Sequence, residues 1–193
     1  MLPTLAVILL IVTSLSLLVT RDWRLSIIAL AIQYIGVMIL VSLQWPFGIA
    51  MIKLVAGWMA GAALGLTRIG QTEVVETETS WPSSQVFRLL AGALVLLVVY
   101  PTAPKVLDWL PGVSLEQIWG GLVLLGIGLV QLGMTAQPFR VVLGLLTCLA
   151  GFEILYAGVE VSLLVAGLLS GVNLGLATIG AYLLNSAIPE EQI

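Results

Sequence analysis

Apolar positions along the chain gather into runs of about 17 to 25 residues, the length that ~1.5 Å of rise per residue needs to cross ~30 Å of hydrocarbon. The first run, about Leu2 to Val19, ends at Thr20-Arg21-Asp22-Trp23-Arg24, and the second extends from about Leu25 to Leu43. Gln44-Trp45-Pro46 then breaks the pattern. Proline suits the first turn of a helix and disfavours helix in the residue before it, so a third helix is expected from Pro46 to about Leu66, ending at Thr67 to Gly70.

The longest polar stretch, 67–82, carries Glu73, Glu76 and Glu78 and divides the chain into a three-helix part, 1–66, and a four-helix part, 83–193. Ser83 or Ser84 can cap a fourth helix, which is expected to stop near Tyr100 at Pro101 and Pro104. That leaves Lys105 to Leu110 as an interfacial piece, with Trp109 at the headgroups. Ser114-Leu115-Glu116-Gln117 has the S-x-x-Q form of a capping box and predicts a fifth helix from about Leu115 to Met134. After Gln137-Pro138 no polar break occurs until Ala187, yet ~49 residues would make ~73 Å of helix, more than twice the membrane thickness. A reversal is expected within Tyr156 to Ser162, where Gly158 supplies flexibility and Glu160 is charged. It separates a sixth helix, about Val141 to Ala157, from a seventh, about Val161 to Leu184, followed by an acidic tail at Glu190 and Glu191.

Composition sharpens this into a fold class. Of 193 residues, 60% are hydrophobic and 9% charged, with a mean hydropathy of +1.16, whereas a soluble domain is roughly a quarter charged. The expectation is an all-α integral membrane protein of about seven transmembrane helices. The opening run is read as a retained helix, because nothing basic precedes it and no small-x-small cleavage site closes it before Arg21. Arg21, Arg24, Arg68, Arg88 and Arg140 fall on one side of the alternating spans and Lys105 on the other. The positive-inside rule then predicts an external amino terminus and a cytoplasmic carboxyl terminus, with the acidic loop in the cytoplasm.

Chemistry is narrowed mostly by what the chain lacks. It contains no histidine and one cysteine, Cys148, so no haem, iron–sulfur or zinc site, no metal, no cofactor and no catalytic residue is expected. A net charge of -3 without a basic cluster gives no reason to expect nucleic acid. Lys53 stands out because it lies inside the third apolar run, where an ammonium costs about 2.5 to 3.5 kcal/mol on insertion scales. Gly57, Gly61 and Gly65 follow at four-residue spacing on the face Lys53 shares, so the lysine can point into protein; alternatively it snorkels to the outer headgroups. Glu153 and Glu160 are the acids of the last apolar stretch and share a face if one helix carries both, whereas a turn at Gly158 leaves Glu160 interfacial. Glu153 is then a proton-relay carboxylate, the partner of Lys53, or a structural group. Gly167, Gly171 and Gly175 form a second small-residue seam, with Ser170 and Asn173 beside it, expected to let backbones approach while the amide bonds across the contact.

Three stretches together carry a resemblance: Gly126-Ile127-Gly128-Leu129, Arg140 to Leu143 after a turn, and Leu149-Ala150-Gly151-Phe152-Glu153-Ile154-Leu155. The unit at about 115–186 resembles the small membrane subunits of the complex I relatives: the K subunit of bacterial NADH dehydrogenase, the antiporter C subunit and component E of membrane-bound hydrogenases. Component E proteins also have extra helices before that unit and a lysine in the third, which Lys53 would match. The K-type pattern has a second glutamate within the following helix, where this chain has only Glu160, at its start. The resemblance implies a non-catalytic subunit of a hetero-oligomeric ion-translocating complex, with other membrane subunits and the bilayer as its partners and with Glu153, Lys53 and Glu160 as relay groups. A structural assembly subunit without an ion path and a small stand-alone transporter are the competing readings.

Overall fold

The computed structural model describes residues 1–69, 85–110 and 112–186. Among them the chain forms seven helices and no strand: α1 (Leu2–Val19), α2 (Trp23–Val41), α3 (Phe47–Ile69), α4 (Gln85–Trp109), α5 (Leu115–Met134), α6 (Pro138–Val159) and α7 (Leu163–Ser186). All seven are long and apolar enough to cross a membrane. Their outward faces carry Ile8, Val12, Ile28, Leu90, Leu94, Leu97, Leu168 and Ile179, the surface that hydrocarbon accepts. The acidic stretch Glu73 to Glu78, the caps Ser83 and Ser84, and the tail Glu190 and Glu191 lie outside the described residues.

The helix ends show why the chain folds where it does. Asp22 caps α2 by accepting from the Arg24 backbone N–H at 2.8 Å. Ser114 and Gln117 form the expected capping box at the start of α5, and Gln117 Nε2 also donates to the Leu40 carbonyl in the last turn of α2 at 3.0 Å. At the opposite end of the bundle, buried Arg88 and Arg140 donate to the carbonyls of Leu18 (3.3 Å) and Thr20 (2.9 Å), where α1 runs out of intrahelical partners. Arg68 lies over the Phe139 ring at that same end. The five arginines thus gather at one end of the bundle, and three of them tie its helices together.

One expectation fails. Pro101 and Pro104 do not stop the fourth helix: α4 continues to Trp109, so Lys105 to Trp109 is its last part and not a separate interfacial piece. A proline inside a helix leaves the carbonyl four residues before it without its N–H partner, here those of Leu97 and Tyr100, yet hydrocarbon gives the chain no better alternative than to stay helical. The reversal before α7 falls where it was expected, between Tyr156 and Ser162: Gly158 stays within α6, where a Cβ would come 2.6 Å from Val113, and the chain turns after Val159, with Glu160 extended.

The three-helix and four-helix parts interleave as one bundle, with α3 against α7 and α1 against both α2 and α5. The closest backbone approach joins α5 to α6, where a Cβ on Gly151 would stand 2.7 Å from the Gly121 carbonyl oxygen and one on Gly128 2.8 Å from the Cys148 nitrogen. The α4 and α7 helices are the least covered, with 22% and 28% of their spans buried, so they form the rim.

Candidate functional site

Lys53 sits six residues into α3 and Glu153 six residues before the end of α6, which places both about 9 Å below the same end of the bundle. Their side chains meet there: Lys53 Nζ donates to Glu153 Oε1 at 2.9 Å, with each side chain 1% exposed. Of the two readings of Lys53, the structure therefore takes the inward one. The third-helix glycines explain how: Gly57, Gly61 and Gly65 face α2, where a Cβ on Gly57 would clash with the Tyr34 ring and one on Gly65 would crowd Ile27 at 3.0 Å.

Two further helices complete the site. The ammonium of Lys53 also donates to the Ala166 carbonyl in the first turn of α7 at 3.0 Å. Asn173, a little under one turn beyond Ser170 on the buried face of α7, donates through Nδ2 to Glu153 Oε1 at 3.0 Å. Its Oδ1 accepts from the hydroxyl of fully buried Tyr34 at 3.0 Å. Tyr34, Lys53, Glu153 and Asn173 thus form one polar chain drawn from α2, α3, α6 and α7. Glu153 Oε2 is buried and has no hydrogen-bond partner among the described residues. Gln33, beside Tyr34 on α2, places its Nε2 3.4 Å from Thr147 Oγ1 of α6, a further polar contact between helices.

In a bilayer interior a charge must be paired and its remaining bonding capacity met by protein. One carboxylate oxygen with two donors and another with none is a group ready to accept one more proton or one more donor. Among the described residues no three histidine, cysteine, aspartate or glutamate side chains come together.

The other sequence candidates lie elsewhere. Glu160 is exposed just past α6, its carbonyl accepting from Trp45 Nε1 at 3.1 Å and its carboxylate from the Tyr156 hydroxyl at 3.4 Å, so it belongs to the interfacial end and does not join the pair. The seventh-helix seam does not let backbones approach within this chain: a Cβ at Gly167, Gly171 or Gly175 would meet nothing within 4 Å. The reason is angular. Ala166, Ser170, Asn173, Ala177 and Gly180 face the bundle, and each seam glycine lies one or two residues round the helix from that stripe. Asn173 bonds across helices as expected, but inward.

Sequence reasoning did not single out Tyr34. Its signal was available in Gln33-Tyr34, two adjacent polar-tipped residues in the middle of an apolar run. The α5–α6 seam was missed as well, because its glycines recur at seven-residue spacing, Gly121 with Gly128 and Gly144 with Gly151, and not at four. No protein-family profile, no curated protein and no solved structure matches the chain.

Proposed function

We propose that this protein is a non-catalytic membrane subunit of an ion-translocating complex of the complex I and antiporter type, in which Lys53 and Glu153 serve as a protonatable station. The observation that carries the reading is the buried 2.9 Å pair with one carboxylate oxygen left open, about 9 Å inside the bundle. Intramembrane ionisable groups are costly and mark ion pathways, and a purely structural contact gains no more from a charged pair than from apolar packing. With no second acid beside it among the described residues, the station hands its proton to groups on neighbouring subunits. The arginine end lies in the cytoplasm by the positive-inside rule, so the amino terminus is external, and a subunit of this kind of complex belongs to an energy-transducing membrane.

The competing assembly role has one observation in its favour, the open glycine seam on the rim helix α7. The deciding experiment is Glu153→Gln in the native complex, isolated in mild detergent with its partners identified by mass spectrometry, then reconstituted for a proton-translocation assay. The expected result is an intact complex, containing antiporter-like subunits, that translocates poorly. Undiminished translocation removes the relay role and leaves assembly.

A further inference from the structure

Asn173 carries an acceptor at one end of its amide and donors at the other, and Tyr34 determines which end meets the carboxylate. Because the Tyr34 hydroxyl donates to Asn173 Oδ1 at 3.0 Å, Nδ2 is turned towards Glu153 Oε1, 3.0 Å away. Lys53 Nζ donates to that same oxygen at 2.9 Å. Two donors therefore converge on Oε1, while buried Oε2 receives none among the described residues. The arm is fixed at its far end too: the Tyr34 ring rests on Gly57, the one residue type that leaves room for it, one helical turn beyond Lys53.

Lysine alone does not single out one oxygen, since an ammonium is a compact point charge on a flexible stem. A carboxylate held only by Lys53 is free to rotate and present either oxygen. A second donor anchored by its own hydrogen bond removes that freedom.

We infer that Tyr34 and Asn173 are positioning residues for Glu153, holding its carboxylate in a single orientation so that Oε2 is the atom that takes and releases the proton, with Gly57 as the seat of the arm. This rests on the relay reading above. In the loading step an O–H bond forms at Oε2 with a proton delivered by hydronium, which leaves as water, while Lys53 stays an ammonium bonded to Oε1 and the Ala166 carbonyl. In the unloading step that O–H bond breaks as a water takes the proton and becomes hydronium, which carries it to a group on a neighbouring subunit.

Infrared difference spectra of the full chain in lipid vesicles test this, because subtracting the Glu153→Gln spectrum from that of the unaltered protein isolates the Glu153 carboxyl band. Tyr34→Phe leaves the ring on Gly57 and removes only the hydroxyl oxygen. Tyr34→Phe is expected to shift the Glu153 band, Asn173→Leu to shift it further, and Tyr34→Phe to add nothing when Asn173 is already leucine; the exposed Tyr182→Phe leaves the band in place. An unmoved band in Tyr34→Phe overturns the inference, and that single variant decides the matter if Asn173→Leu does not fold. The spectrum is read without transport, so its outcome is separate from that of the translocation assay on Glu153→Gln.

Discussion

Gly121 and Gly151 face each other across the α5–α6 contact so closely that neither has room for a methyl group: a Cβ on Gly151 would stand 2.7 Å from the Gly121 carbonyl oxygen, and one on Gly121 would stand 3.0 Å from that of Gly151. Both obstacles are backbone, which cannot rotate aside as a side chain does. Gly151 is two residues before Glu153, so this contact also sets the depth and angle at which the carboxylate enters the bundle. Gly151→Ala is expected to destabilise the protein by about 1 to 3 kcal/mol, the cost of overpacking a filled interior. Unfolding in mixed micelles of increasing sodium dodecyl sulfate fraction measures it, and an unchanged midpoint would show that α5 and α6 can separate freely.

The outward seam behaves in the opposite way. Gly171 has open space where its Cβ would be, and alanine exceeds glycine in helix propensity by about 0.8 to 1.0 kcal/mol. Gly171→Ala is therefore expected to leave the isolated chain as stable as before or up to about 1 kcal/mol more stable. A loss of stability in the same micelle titration would place the seam inside the folded chain, against its position on the rim.

Orientation is open to chemical labelling. Lys105 and Arg21 are both exposed, and they stand at opposite ends of the bundle. In a Cys148→Ser background, Lys105→Cys is expected to react with a membrane-impermeant maleimide on intact cells, and Arg21→Cys only after permeabilisation. The reverse pattern would invert the topology and move the Lys53–Glu153 pair to the cytoplasmic half of the membrane.

Much of the bundle was legible from spacing alone, because membrane thickness sets helix length whatever the helices pack against. The bounds of α1 and α5 coincide with the expected ones, the latter through the Ser114–Gln117 box. Pro101 and Pro104 misled because the rule that proline ends a helix is drawn from water, where a broken helix can solvate its backbone; hydrocarbon offers no such alternative. The pairing of Lys53 with Glu153 stood among the open readings, yet nothing in one sequence says which helices are neighbours, and 100 positions separate the two. Tyr34 and the inward aim of Asn173 depend on that same pairing. The seventh-helix glycines were visible, but their direction was not, since a rotation of one residue turns a seam from the bundle to the lipid.

The energetics of the pair distinguish a charge retained for use from one retained for packing. Removing a single partner of a buried ion pair leaves the other uncompensated and typically costs about 3 to 5 kcal/mol, whereas replacing both with apolar groups of similar volume is often neutral or stabilising. Lys53→Met and Glu153→Leu are each expected to lower stability by an amount of that order, since Lys53 would keep only the Ala166 carbonyl and Glu153 only Asn173. The double variant Lys53→Met/Glu153→Leu is expected to recover most of the loss, and a micelle titration of all four proteins gives the coupling energy directly. Recovery of stability in a protein that no longer supports translocation is the combination expected if the pair is kept for proton exchange. Strict additivity of the two single losses would mean that Lys53 and Glu153 do not stabilise one another, and the station built on their contact would have no energetic basis.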